Sequence, residues 1–67
     1  MRHYPNHPRY YYKTACMYAL QNKVEDSIYW LRKAIKKGYD NWILIKSDKQ
    51  LKNIRSSPGY RALLNGH

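Results

Sequence analysis

The sequence predicts an all-α domain: an antiparallel helical hairpin with short capping helices. Three observations predict it. Apolar residues recur at helical spacing in two neighbouring segments, 9–21 and 24–37. Each segment ends near a residue suited to left-handed backbone, Asn22 and Gly38. The remaining apolar runs are short and have no visible strand partner.

Residues 1–8, with Pro5 and Pro8, read as a flexible lead-in, and Pro8 suits the first turn of a helix. In the first helix Tyr11, Ala15, Tyr18 and Asn22 fall at i, i+4, i+7 and i+11, with Tyr12, Cys16 and Ala19 alongside. So wide an apolar arc requires neighbours on more than one side. Gln21-Asn22-Lys23 breaks it. In the second helix Val24, Ile28, Leu31 and Ile35 carry the apolar stripe, with Ser27 and Ala34 beside them. Glu25 and Asp26 open this helix and Arg32, Lys33, Lys36 and Lys37 close it, an order that complements the helix dipole. Small residues at 15, 19, 27 and 34 predict an unusually close crossing of the two helices.

Beyond Gly38, Tyr39-Asp40-Asn41 reads as a turn whose Asp40 or Asn41 caps a short helix over 42–46. Five residues do not distinguish helix from strand by period, but flanking helices favour helix. Ser47-Asp48 starts a further helical turn through Ile54, and Ser56-Ser57-Pro58 caps a last helix carrying Tyr60, Leu63 and Leu64 and ending at Asn65-Gly66.

Helix, short turn and helix with small residues at the crossing resembles the tetratricopeptide repeat, whose pattern W-x2-L-G-x2-Y, A-x3-F, A, P spans ~34 residues. Here Tyr11, Ala15 and Tyr18 stand for the Trp, Gly and Tyr, and Ser27, Leu31 and Ala34 for the small and large positions of the second helix. Thr14, Ser27 and Tyr39 depart from it, replacing the Leu, a small apolar residue and the Pro. Residues 41–65, through Asp48, Leu51, Ile54-Arg55, Pro58, Tyr60 and Leu63-Leu64, look like the closing segment that follows bacterial repeats of this kind. The resemblance implies a single domain over 9–65, with the repeat at 9–40 and the closing segment at 41–65.

Composition narrows the function. Thirteen Lys and Arg against four acids give a charge of +9, which favours an acidic partner: nucleic acid, an anionic surface or an acidic protein segment. A single cysteine excludes an internal disulfide and suits a reducing compartment, so a cytoplasmic location is expected. No run approaches the ~20 apolar residues of a membrane span. Eight Tyr and two Trp, with no Phe, place the aromatic bulk where hydroxyls need outlets. Ser56-Ser57 reads as a cap, Cys16 as an inert buried thiol, Asp48 and Lys52 as a helix pair, and His3 and His7 as too isolated for a metal. No catalytic constellation and no cofactor are expected.

The resemblance implies a scaffolding module that binds a protein or peptide, with Arg9, Tyr12, Lys13, Cys16 and Ala19 facing the groove unless Tyr12, Cys16 and Ala19 are covered as core. The Lys/Asn arrangement by which some members of that family grip a terminal carboxylate is absent. Tyr10, Thr14, Met17 and Gln21 line the side where a preceding repeat would stack, which makes them a candidate self-association face in a homo-oligomer or the seam of a longer protein. The alternative is a small nucleic-acid-binding protein using Arg32, Lys33, Lys36, Lys37, Lys46, Lys49, Lys52 and Arg55, with exposed tyrosines for stacking.

Overall fold

Helix boundaries follow the capping chemistry. The computed structural model describes residues 7–65, and His3 and Gly66 therefore lie outside the described residues. The described residues form five helical segments: α1 (Pro8–Leu20), α2 (Val24–Lys36), α3 (Trp42–Ser47), a 3-10 helix (Lys49–Ile54) and α4 (Pro58–Leu64). Among the described residues there is no strand.

α1 starts one residue earlier than the spacing predicts, because His7 caps it: His7 Nδ1 accepts from the Arg9 amide at 3.2 Å. Pro8 then occupies the first turn, where a missing N–H costs nothing. The other end is a Schellman motif. Asn22 adopts φ 61°, Lys23 N–H donates to Tyr18 O at 2.9 Å, and Asn22 N–H to Ala19 O at 3.0 Å. α2 ends the same way at Gly38, φ 108°, with Tyr39 N–H on Ala34 O at 2.9 Å and Gly38 N–H on Ile35 O at 3.0 Å. Asn41, Asp48 and Ser57 cap the next three helices through their side-chain oxygens. Asp48 is thus a cap and not the partner of Lys52 in a helix pair.

α1 and α2 make the principal packing interface and run antiparallel. Ala15 meets Ser27 while Tyr11 stacks on Trp30, with ring centroids 5.9 Å apart. Ala15, Ala19, Ser27, Leu31 and Ala34 are all fully buried. The Ser27 hydroxyl donates to Ala15 O at 2.7 Å. A serine at the crossing therefore satisfies its own oxygen across the interface, as a buried hydroxyl must.

The closing segment covers this pair on two sides. The 3-10 helix lies along α1, buries Leu51 and Ile54, and places Asn53 Nδ2 on Ala19 O at 3.1 Å, which satisfies a carbonyl near the end of α1. α4 rests on α2 at Gly59, where a Cβ would meet Ile28 Cγ2 at 3.1 Å. The Tyr60 hydroxyl reaches Ile45 O at 2.9 Å and ties α4 to α3. No helix among the described residues is long and apolar enough to cross a membrane.

Substitutions at the crossing have graded effects. Ala15→Leu overpacks it at a cost of roughly 1–3 kcal/mol. Ser27→Ala keeps the fit and removes one hydrogen bond, costing about 0.5–1.5 kcal/mol. Circular dichroism melts should rank wild type above Ser27→Ala and Ser27→Ala above Ala15→Leu, and an unchanged midpoint for Ala15→Leu would contradict the close crossing.

Candidate functional site

One open groove of about 850 Å³ runs beside α1. Its first wall is α1, which contributes Arg9, Lys13 and Met17 at the rim and Tyr12 and Cys16 at the floor. Its second wall is the turn after α2 and the start of α3, with Gly38, Tyr39, Asp40, Asn41 and Leu44; Asp48 and Gln50 close the far side.

The floor depends on the turn. The positive φ at Gly38 lets the chain double back so that the Tyr39 ring lies flat on Tyr12, with centroids 4.5 Å apart and planes 12° apart. The Tyr12 hydroxyl donates to Asp48 Oδ2 at 2.6 Å. Asp48 Oδ1 accepts from the Gln50 amide at 2.9 Å, and Asp48 O from Arg55 Nη2 at 2.6 Å. One aspartate thus joins α1, the cap of the 3-10 helix and Arg55.

The electrostatics follow from this packing. Burial, and then the hydrogen bond to the Asp48 carboxylate, raise the Tyr12 hydroxyl far above the ordinary tyrosine value. Burial pushes the Cys16 thiol up to about 11, with the Asp48 charge adding to it and the Tyr12 hydrogen bond opposing it. Tyr39 is also raised, by burial and then by Cys16 and Asp48, against the Arg9 guanidinium. Burial pushes the Asp48 carboxyl up, but the bonds from Tyr12 and Gln50 and the Arg55 charge outweigh it and hold the group below its ordinary value. The floor is therefore neutral hydroxyl and thiol around one fixed carboxylate, and the cations Arg9 and Lys13 stand exposed at the rim. Among the described residues, nothing in the groove activates a nucleophile.

The expected groove residues separate. Arg9, Tyr12, Lys13 and Cys16 come together, with Tyr12 and Cys16 serving as both floor and core. Ala19 does not line the groove: it is fully buried against the 3-10 helix. On the proposed self-association face Tyr10, Met17 and Gln21 are exposed, while Thr14 is half-buried and turns its hydroxyl onto Tyr10 O at 2.9 Å. Met17 also belongs to the groove rim. The basic set divides too. Arg32, Lys33, Lys36 and Lys37 share a cavity of about 400 Å³ with Tyr29, and none of Lys46, Lys49, Lys52 or Arg55 lines it. Lys49 and Lys52 are exposed on the 3-10 helix, but Arg55 turns inward to Asp48. Sequence reasoning missed Tyr39, Leu44 and Asp48 as groove residues, since a turn at Gly38 does not reveal where the next ring will land.

With this geometry defined, comparison adds a relative. Over 53 residues, 79% of this chain, the sequence is 36% identical to a chloroplastic protein of Arabidopsis thaliana, and the chain spans 16% of that protein's length. No family model matches the chain, and no solved structure matches it.

The pKa directions give a stability profile. Tyr12 and Cys16 ionise at higher pH in the folded chain than in the unfolded one. Their stabilisation is complete below the unfolded values of 10.0 and 9.0 and is lost as pH rises beyond them. Asp48 has the opposite sign: its contribution is complete above its unfolded value of 3.8 and is lost as pH falls toward the folded one. Thermal midpoints should be level near neutrality and fall on both sides. Tyr12→Phe should cost about 1.5–3 kcal/mol and shrink the loss at both extremes. Native Cys16 should react with a disulfide reagent at pH 8 at least roughly 100-fold more slowly than free cysteine.

Proposed function

We propose that this chain is a tetratricopeptide-like protein-interaction module whose groove takes an acidic peptide segment. The observation that carries the reading is the mixed character of the groove. Arg9 and Lys13, one helical turn apart, stand at the rim over a flat aromatic floor of Tyr12 and Tyr39, with Leu44 on the facing wall and Met17 beside the cations. Such a surface offers charge to an acidic side chain and apolar area to its neighbour, the division of labour found in peptide-binding sites. The close crossing, the two Schellman ends and the register of Tyr11, Ala15, Tyr18, Leu31 and Ala34 support the family reading. The match to one stretch of a longer relative accords with a module carried inside a larger chain.

A second scaffolding mode is supported by the exposed apolar side chains of α1. Met17 and Leu20 are more than half exposed, and Tyr10 lies on the same side. Self-association through Tyr10, Thr14, Met17 and Gln21 would use that surface.

An isotope-labelled sample titrated with a glutamate-rich peptide bearing one central leucine tests the groove. Amide shifts are expected at Arg9, Lys13, Gly38, Tyr39 and Leu44, and Arg9→Ala with Lys13→Ala should weaken binding roughly tenfold. Shifts confined to Arg32–Lys37, or none at millimolar peptide, would overturn the reading. Sedimentation over a range of concentrations measures self-association on the same sample.

A further inference from the structure

We infer that the outer face of α2 is a single-stranded nucleic-acid site, with Tyr29 as its stacking platform and Arg32, Lys33, Lys36 and Lys37 as its phosphate contacts. Tyr29, Arg32, Lys33 and Lys36 stand at i, i+3, i+4 and i+7 on α2, and Lys37 follows as its C-terminal cap. Among the described residues they form the whole lining of a cavity of about 400 Å³, with no acidic side chain in it. Tyr29 and Arg32 also line a second cavity, about 450 Å³, which continues past Ile28 to Ser57, Pro58 and Gly59 at the start of α4, with Glu25 at its far end. The two together make a track along the molecule, basic at one end and open at the other.

The helix dipole does not account for this arrangement. It explains cations in the last turn of α2, where Lys33 and Lys36 lie. It does not explain a tyrosine left half exposed among them. Tyr29 is held for use as a platform: its ring meets Trp30 edge-on at 5.2 Å, and Trp30 stacks on Tyr11 behind it. Lys33 Nζ sits 5.7 Å from the centre of the Tyr29 ring. A cation–π contact at so exposed a place is weak, so a base can displace the ammonium toward a neighbouring phosphate. An aromatic ring amid a row of cations is the combination that binds single strands without regard to sequence. A peptide meets the ring only where an apolar residue follows its acids, whereas every nucleobase along a strand has a face to lay on it. This site is separate from the α1 groove, and the two readings stand or fall independently.

Fluorescence anisotropy with labelled oligothymidylate of about twelve nucleotides tests it. With four phosphate contacts, log Kd should rise with log salt at a slope of roughly 2.8, weakening binding about 50-fold between about 50 and about 200 mM salt. Tyr29→Ala should weaken binding roughly tenfold without changing the slope, and Tyr29→Phe should bind as wild type. Lys36→Ala with Lys37→Ala should lower the slope by roughly 1.4. Lys49→Ala with Lys52→Ala, on the 3-10 helix, should leave affinity and slope close to wild type. The assignment is overturned if the Lys49/Lys52 pair matters as much as the Lys36/Lys37 pair, if Tyr29→Ala binds unchanged, if polyglutamate of equal charge competes as well as unlabelled oligonucleotide, or if no binding is seen at low salt. Circular dichroism of each variant confirms that the fold is retained.

Discussion

The close approach of α1 and α2 at Ala15 and Ser27 is the constraint on which the remaining packing depends. With methyl and hydroxymethyl groups at the contact, two helix backbones come near enough for a serine hydroxyl to reach a carbonyl of the opposite helix at 2.7 Å. Larger side chains would separate the rods, and a chain this short has little other core to lose. Everything bulky is displaced to the flanks of the crossing. Tyr11 and Trp30 fill one flank as a stacked pair, and Tyr12 with Tyr39 fills another. The groove and the α2 stripe both begin at these flanking rings.

Tyrosine in place of phenylalanine has structural consequences here. Each buried ring brings a hydroxyl that must find an acceptor, and each acceptor lies on a different element. Tyr12 in α1 finds the carboxylate that caps the 3-10 helix, and Tyr60 in α4 finds a carbonyl of α3. Asn53 adds a third polar tie, to α1. Three helices of seven residues or fewer would have little reason to hold a fixed position through apolar contact alone. These polar ties give direction to packing that the hydrophobic effect leaves undirected.

Much of this was legible in the sequence, and for identifiable reasons. Helix existence followed from the 3.6-residue period, and helix ends from Asn22, Gly38, Asn41 and Ser57, whose backbone and side-chain preferences are local. The close crossing followed from small residues in register. What local chemistry does not contain was less legible. Ala19 looks like a groove residue on a helical wheel because the wheel does not show the 3-10 helix lying over it. Arg55 continues a three-residue basic period, yet its guanidinium is drawn to the Asp48 carbonyl by a fold-back seven residues long. Asp48 was legible only as the start of a helical turn and as a partner for Lys52, and its role as the junction under the groove arises only when Tyr12 arrives from 36 residues away.

The two surfaces differ in how their charges are distributed, and the two proposed sites differ accordingly. In the α1 groove the cations at the rim face fixed negative charge, Asp48 beneath and Asp40 opposite, so the local field is mixed and attraction is short-ranged. On α2 the acids are confined to the first turn, where Glu25 and Asp26 complement the dipole, and the charges of the last two turns are all basic. The first arrangement would select by shape and by the order of charges along the proposed peptide. The field of the second would draw in a flexible polyanion, strongly only at low salt, and the proposed preference for a nucleic-acid strand rests on the Tyr29 ring. The same dipole logic that stabilises α2 thus sorts its charges by sign along the helix, and Tyr29 lies at the boundary, where a cationic surface also offers a ring.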